Sequence, residues 1–326
     1  MSVAVLRLND IQAFGTEDSY HIAPDKELLE HLTIDADKAA ELEYTHEPLW
    51  RQLDEQSVRL LKFDVFADPK GGLFTYRAGL NLMRVEPRAS DPAMYEPGFK
   101  VLRIPHIDFE THCSTLVQGL STVAEWSAAN SHHVPILIVL AVRGPLEESS
   151  VPVSGQPLKC GPDELLALEK EIQSVFAREH VLIPDEVRST ASALRDAVLR
   201  RGWPEVEALR GRVLFGLTGE PAVVARYCSL SESLAQRTCF PNSPTDEPTA
   251  GWLQLPPNSL RAITERVEEG FLVQTAAVPG EEESVLLSGA HYVGVKDPSR
   301  DAGVLGRSPR RNPVRCSSLN ADGFQE

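Results

Sequence analysis

The sequence predicts an α/β chain, a (β/α)8 barrel of the TIM type built as one domain over residues 1–326. Three observations carry that expectation. Short apolar, β-branched segments alternate with amphipathic helical patterns along most of the chain, as parallel β/α folds require. The hydrophobic content, 42%, can fill one large core. Polar and titratable residues gather at the C-terminal ends of the apolar segments, where a parallel barrel collects its loops and its chemistry.

In chain order, the apolar stretch Ile11–Phe14 opens the pattern and Lys26–Ala40 reads as a helix. Val58–Phe66 is the next strand. Ala67–Glu96, rich in Gly, Pro and Arg, reads as a long loop over the active face. A strand at Phe99–Ile107 and a helix at Cys113–Ala129 follow, then a strand at Val134–Val142. Pro162–Glu179 places Leu165, Leu168, Ile172 and Phe176 on one face, with acidic residues in its first turn as the helix dipole favours. Thr190–Arg201 is helical and Gly211–Leu217 is a strand. Asn258–Glu268 is helical, with a polar start at Asn258-Ser259 and a stop at Gly270. Strands at Gly270–Thr275 and His291–Val295 precede an irregular tail over Ser299–Glu326. No internal repeat is visible.

Charge and cysteine usage narrow the partners. The formal net charge is −15 and the sequence pI about 5.1. Such a surface repels phosphate backbones and anionic headgroups, so neither nucleic-acid binding nor stable membrane association is expected. The longest apolar run, Val134–Val142, is too short to cross a bilayer. The segment Met1–Gly15 lacks the long apolar centre of a signal peptide. Cys113, Cys160, Cys228, Cys239 and Cys316 are dispersed without CxxC spacing, which points to free thiols and a cytoplasmic location. No GxGxxG or GxxxxGK[ST] pattern occurs, so no nucleotide cofactor is expected and the partner is a small-molecule substrate.

The candidate site residues sit at the strand ends. Glu17, Asp18 and His21 follow the first apolar stretch. Lys62 and Asp64, two apart in a strand, project to one face. Arg103 is followed by His106 and Asp108, and Arg143 closes the strand Val134–Val142. Several motifs occur in order along nearly the whole chain: Gly15-Thr16-x-x-Ser19-Tyr20-His21, Glu43-Tyr44-Thr45-His46-x-Pro48-Leu49 and Asp64-Val65-x-Ala67-Asp68-Pro69-x-Gly71-Gly72. Pro97-Gly98-Phe99, Ile107-Asp108-Phe109, Trp126-Ser127-Ala128, Gly202-Trp203-Pro204 and Gly211-Arg212-Val213-Leu214-Phe215 continue the series, and Ser288-Gly289-Ala290 closes it. In these motifs the chain resembles the bacterial and fungal secreted calcium-dependent phosphoinositide phospholipases C. That resemblance implies a barrel of the PLC-like phosphodiesterase type.

The departures fall on the positions the resemblance makes functional. Glu17 stands where the family carries its first catalytic histidine and Asp18 at its calcium-binding asparagine. The metal-binding Glu-x-Asp pair reads Lys62-Phe63-Asp64, the second catalytic histidine is Arg103, and a later glutamate is Ala141. On the far side, a segment of the type Val-Arg-Thr-Arg-Ala-Asp reads Val273-Gln274-Thr275-Ala276-Ala277-Val278, and Ser-Thr-Asp reads Gly294-Val295-Lys296. A family cysteine is retained as Cys113 but its implied disulfide partner is Gly119. Arginine cannot shuttle a proton near neutral pH, and an ammonium at Lys62 repels calcium, so neither the family's acid–base pair nor a metal is expected.

The expectation is a repurposed, metal-independent enzyme. Glu17, Lys62, Asp64 and Arg103 would do acid–base chemistry of lyase, cyclase or isomerase type on a small metabolite, in secondary-metabolite biosynthesis. Asp18, His21, His106, Arg143 and Lys296 would bind the substrate. The alternatives are a non-catalytic binding or regulatory protein, whose ion pairs merely plug the mouth, and a residual phosphodiesterase.

Overall fold

Alternation along one strand sets the whole arrangement. In β2 (Leu60–Phe66), Phe63 faces outward to pack on Gly119 of a surrounding helix, and Leu61 and Val65 join the same apolar shell. Lys62 and Asp64, one position off, therefore face the lumen. The computed structural model describes residues 5–31, 41–145, 156–277 and 279–296, together with the backbone of a strand at 314–316.

The remaining strands, in order, are β1 (Ile11–Thr16), β3 (Lys100–Val101), β4 (Ile136–Arg143), β5 (Val181–Leu182), β6 (Val213–Gly219), β7 (Cys239–Pro241), β8 (Trp252–Gln254), β9 (Leu272–Ala276), β10 (Tyr292–Val295) and β11 (Val314–Cys316). The parallel path runs β7–β6–β4–β2–β1–β10–β9–β8 and curls into a TIM-type (β/α) barrel. Between β7 and β8 a side chain takes the place of a ladder. Asn242 accepts from the Gln254 N–H at 2.9 Å and donates to the Gln254 carbonyl at 3.4 Å. The helices are α1 (Lys26–His31), α2 (Leu49–Asp54), α3 (Leu116–Ala129), α4 (Pro162–Val175), α5 (Pro184–Arg188), α6 (Leu194–Arg201), α7 (Pro221–Cys228), α8 (Leu260–Glu269) and α9 (Glu282–Leu287). Thr115 caps α3 through the Gln118 N–H, and Gly270 ends α8 in the left-handed region, as its place in the sequence predicts. No helix among the described residues is long and apolar enough to cross a membrane.

Two expectations change, the strand over Phe99–Ile107 and the irregular tail. The strand expected over Phe99–Ile107 shrinks to β3, antiparallel to β2. Beyond it the chain turns back, with Arg103 N–H and Ile104 N–H both donating to the Asp108 carbonyl, at 3.3 and 3.0 Å. Pro105 at the turn lacks the N–H a continuing strand would need. The Ala67–Glu96 loop has a core of its own, in which Phe74 and Met94 are buried with Phe66, Leu102 and Phe109. The helix expected over Lys26–Ala40 is seen as α1, and 32–40 lie outside the described residues. The tail carries β11, antiparallel to β1, and its other residues also lie outside them. β5, β7 and β8, of two or three residues, are too short to show periodicity.

Buried histidines make the fold acid-sensitive. His291, fully buried, accepts from the Val273 N–H at Nδ1 and donates from Nε2 to the Asn9 carbonyl, 2.9 and 2.8 Å. Burial pushes His291, His46 and His133 each down to about 4. A base whose folded pKa is depressed contributes stability above its unfolded pKa and loses it as pH falls towards the folded value. Stability in denaturant melts is therefore expected to drop between about pH 6.5 and pH 4, less steeply in His291→Gln.

Candidate active site

Consecutive carboxylates at the end of β1 diverge. Asp18 has φ +48°, a left-handed conformation that aspartate tolerates better than most residues. The turn is pinned to β2: Ser19 N–H donates to the Lys62 carbonyl at 3.0 Å, and Lys62 N–H donates to Ser19 Oγ at 2.8 Å. His46, neutral at its lowered pKa, donates from Nε2 to the Glu17 carbonyl at 2.7 Å.

Ion pairs fill the mouth. Lys62 Nζ lies 2.5 Å from Glu17 Oε2, while Gln274 Nε2 donates to the other carboxylate oxygen at 2.8 Å. Asp18 Oδ2 accepts from the Tyr44 hydroxyl at 2.9 Å and faces Arg103 Nε at 3.8 Å. Arg103 also donates to Tyr44 Oη at 3.2 Å and lies 3.8 Å from Asp108, whose carboxylate meets His21 Nε2 at 2.9 Å. Asp64 pairs with Arg143 at 2.9 Å. At the rim, Lys296 lies 3.6 Å from Glu41 and over the Tyr44 ring.

Charge distributes unevenly over this group. Burial alone would raise Asp18, but the Lys62 and Arg103 charges and the Tyr44 hydroxyl outweigh it and hold the carboxyl below its usual range. Asp64 goes the other way. Burial and the neighbouring Asp18 charge push it up to about 6, against the pull of Arg143 and Lys62. Burial would lower Lys62, yet the Glu17 and Asp18 charges keep it above its ordinary value and so protonated. Two neighbouring carboxyls with opposite shifts divide into a fixed anion and a group that titrates near neutrality.

The structure thus gathers Glu17, Asp18, Lys62, Asp64, Arg103, Arg143 and His21 in one connected group, with Lys296 at its edge. His106 is turned to the loop: its Nδ1 lies 3.1 Å from the Tyr76 carbonyl, and its own carbonyl accepts from Gly79 N–H. Sequence reasoning put Gln274 on the far side of the site without giving it a role, and missed Tyr44. An amide inside the apolar strand Val273-Gln274-Thr275 was the available signal for the first.

Comparison with known proteins decides what this barrel is. The family model described as phosphoinositide phospholipase C, Ca2+-dependent, matches residues 6–287. The chain belongs to this family. Among solved structures it is similar to the calcium-dependent phosphoinositol-specific phospholipase C of a Pseudomonas species in its myoinositol complex, with 14% identity, TM-score 0.62 and 95% of each chain covered. It is also similar to the Ca2+-dependent phosphatidylinositol-specific enzyme of Streptomyces antibioticus, with 15% identity, TM-score 0.57, 95% of this chain and 98% of that one covered. At these identities the likeness is one of fold. No curated protein matches the chain.

The calcium in the family's description does not suit the residues found here. Lys62 places an ammonium against Glu17, and Asp18 and Asp64 each face a guanidinium. Among the described residues no three His, Cys, Asp or Glu side chains group so as to hold a metal ion. A hard dication needs six to eight oxygens, as order of magnitude, and meets organic cations instead. The family cysteine behaves as the sequence implied: Cys113 is a free, buried thiol, and a Cβ on Gly119 would come 2.9 Å from its Sγ.

Gly294 explains how the Glu17 side chain fits. A Cβ there would stand 2.6 Å from Glu17 Oε1 and 3.0 Å from its Cγ. Gly294→Ala is expected to push the carboxylate off Lys62 and lower stability by about 1–3 kcal/mol. Thermal melts of Gly294→Ala in the natural chain and in a Glu17→Ala background check this, the glycine change costing much less in the second, where no carboxylate is displaced.

Proposed function

We propose that this family member performs metal-independent acid–base chemistry, of lyase, cyclase or isomerase type, on a small organic anion. The observation that carries the reading is Asp64: a carboxyl pushed up to about 6 in the barrel mouth, beside a guanidinium that reaches solvent. Arg143 is 47% exposed and Asp64 only 4%. Arg143 can swing from Asp64 to an incoming anionic group without crossing the protein, leaving Asp64 to take or deliver a proton near neutral pH. Lys62, held protonated, supports a fixed cation that steadies developing negative charge on a substrate oxygen, not an amine nucleophile. Glu17 and Gln274 orient that ammonium, and Asp18 with Tyr44 orients Arg103.

A second reading rests on pairing. Lys62, Arg103, Arg143 and Lys296 each have a carboxylate within 4 Å, so the mouth could hold a ligand without transforming it. Incubating the protein with a metabolite extract in the presence of a calcium chelator, followed by mass spectrometry, separates the readings. The acid–base reading expects one metabolite to be consumed, a product to appear, and both changes to vanish in Asp64→Asn. Depletion without product supports the binding reading. In a parallel assay with added calcium and phosphatidylinositol, calcium-dependent cleavage overturns both.

A further inference from the structure

The segment before β7 is held in a backbone conformation that its residues resist. Ser233, Leu234 and Gln236 have φ of +52°, +61° and +60°, all in the left-handed region, and none is glycine. Each costs conformational energy that the surrounding structure must offset, and strain of this kind gathers at ligand clamps and active sites. Two carboxylates hold the segment in place. Gln236 N–H donates to Asp185 Oδ2 and Thr238 N–H to Glu169 Oε1, both at 2.7 Å. Between them, Arg237 Nη1 donates to Glu169 Oε2 at 2.7 Å.

Gln236, Arg237 and Thr238 form one wall of a cavity of about 600 Å³. Facing them are Ile172 of α4, Phe176 just after it, Val181 of β5 and Ile183. β5 pairs with the first two residues of β6 and β7 with the next three, so the two share one edge of β6. The cavity lies beside that edge, towards the N-terminal ends of the strands and away from Asp64 and Arg143. Its size falls within the roughly 300–1,000 Å³ of small-molecule sites. Arg237 is the polar feature of the wall. Its side chain is 15% exposed, and Glu169 takes Nη1. The buried Nε–H, on the edge it shares with Nη2, has no hydrogen-bond partner among the described residues. That edge is the one a carboxylate meets side-on, through two parallel hydrogen bonds. The other charges of the cavity are matched within the protein: Arg178 faces Glu186 at 2.9 Å and Asp185 faces Arg188 at 2.6 Å.

We infer that this cavity is a second ligand site, which takes an organic carboxylate with an apolar body of one or two rings. The carboxylate meets the free edge of Arg237, and the body lies against Ile172, Phe176 and Val181. An apolar body gains from each carbon it removes from water, while the guanidinium fixes which end points to the strained segment. Holding Arg237 at the wall is then what the strain over 233–236 accomplishes. The site is independent of the acid–base reading of the mouth.

The probes are 2-naphthoate and its neutral counterpart 2-naphthamide, titrated calorimetrically into the full chain. One naphthoate should bind per chain, and the amide should bind about tenfold more weakly, because the charged hydrogen bonds are lost. Ala177→Trp, filling the cavity from its exposed rim, should abolish naphthoate binding. Arg237→Lys keeps a cation for Glu169 but removes the fork, and should weaken naphthoate about tenfold. Arg143→Gln, in the mouth, should leave it unchanged. The inference is overturned if naphthoate does not bind, binds no better than the amide, survives Ala177→Trp or is lost in Arg143→Gln. Should Arg237→Lys fail to fold, the Ala177→Trp and Arg143→Gln titrations still decide the matter.

Discussion

Replacing Asp64 with Asn is expected to stabilise the protein at pH 8 and, on the proposed acid–base reading, to remove its turnover. The carboxyl's folded pKa, about 6, lies above its unfolded value, so the folded state binds the proton more tightly. Its ionisation therefore opposes folding. The unfavourable contribution is absent below the unfolded pKa, grows as pH rises between the two values, and is complete above about 6. Its full size is about 3 kcal/mol, and an uncharged Asn escapes it. Denaturant melts of the two proteins should coincide near pH 4 and separate by about 1–3 kcal/mol at pH 8, with the variant the more stable. A variant that is less stable at pH 8 removes the raised pKa from the account, and with it the proton donor near neutrality. Groups kept at a cost to stability are common where activity depends on them.

Lys62→Met has the opposite sign and a larger effect. Lys62 and Glu17 side chains are 14% and 10% exposed, and the methionine strands a buried carboxylate whose remaining partner is the Gln274 amide. Breaking a buried pair from one side costs about 3–5 kcal/mol, whereas removing both charges is often close to neutral. Lys62→Met should therefore unfold at markedly lower denaturant concentration, and the double variant Lys62→Met with Glu17→Gln should recover most of the loss. The double-mutant cycle measures their coupling directly. A coupling near zero would mean that Glu17 finds solvent or another cation, and that Lys62 is not the fixed charge of the mouth. The same substitution returns no calcium site, because Arg103 and Arg143 still face Asp18 and Asp64.

The barrel was legible because its physics is repetitive. A strand such as β4 buries a continuous apolar run, β2 alternates apolar residues with Lys62 and Asp64, and helices such as α4 carry one apolar stripe, so pattern alone separates them. The family motifs concern turns and packing, which the resemblance follows, whereas at Glu17, Lys62, Arg103 and Ala141 it implies a departure from the family's pattern. β5, β7 and β8 lacked the length to leave a pattern. Arg103 was read at the end of a strand, but the backbone turns back at Pro105 and brings Asp108 beneath its guanidinium.

By itself, then, the sequence determined the fold, the presence of Glu17, Lys62 and Arg103 at the strand ends, and the gathering of charges at one end of the barrel. Those follow from residue identity and local periodicity. Tertiary structure alone decided the pairing: Lys62 with Glu17, Arg103 with Asp18 and Asp108, Arg143 with Asp64. It also decided that Gly294 makes room for Glu17 and that Asp18 and Asp64 titrate in opposite directions. Coulomb energy depends on distance and on exclusion of water. Both are set by strands remote in sequence that meet only when the sheet curls.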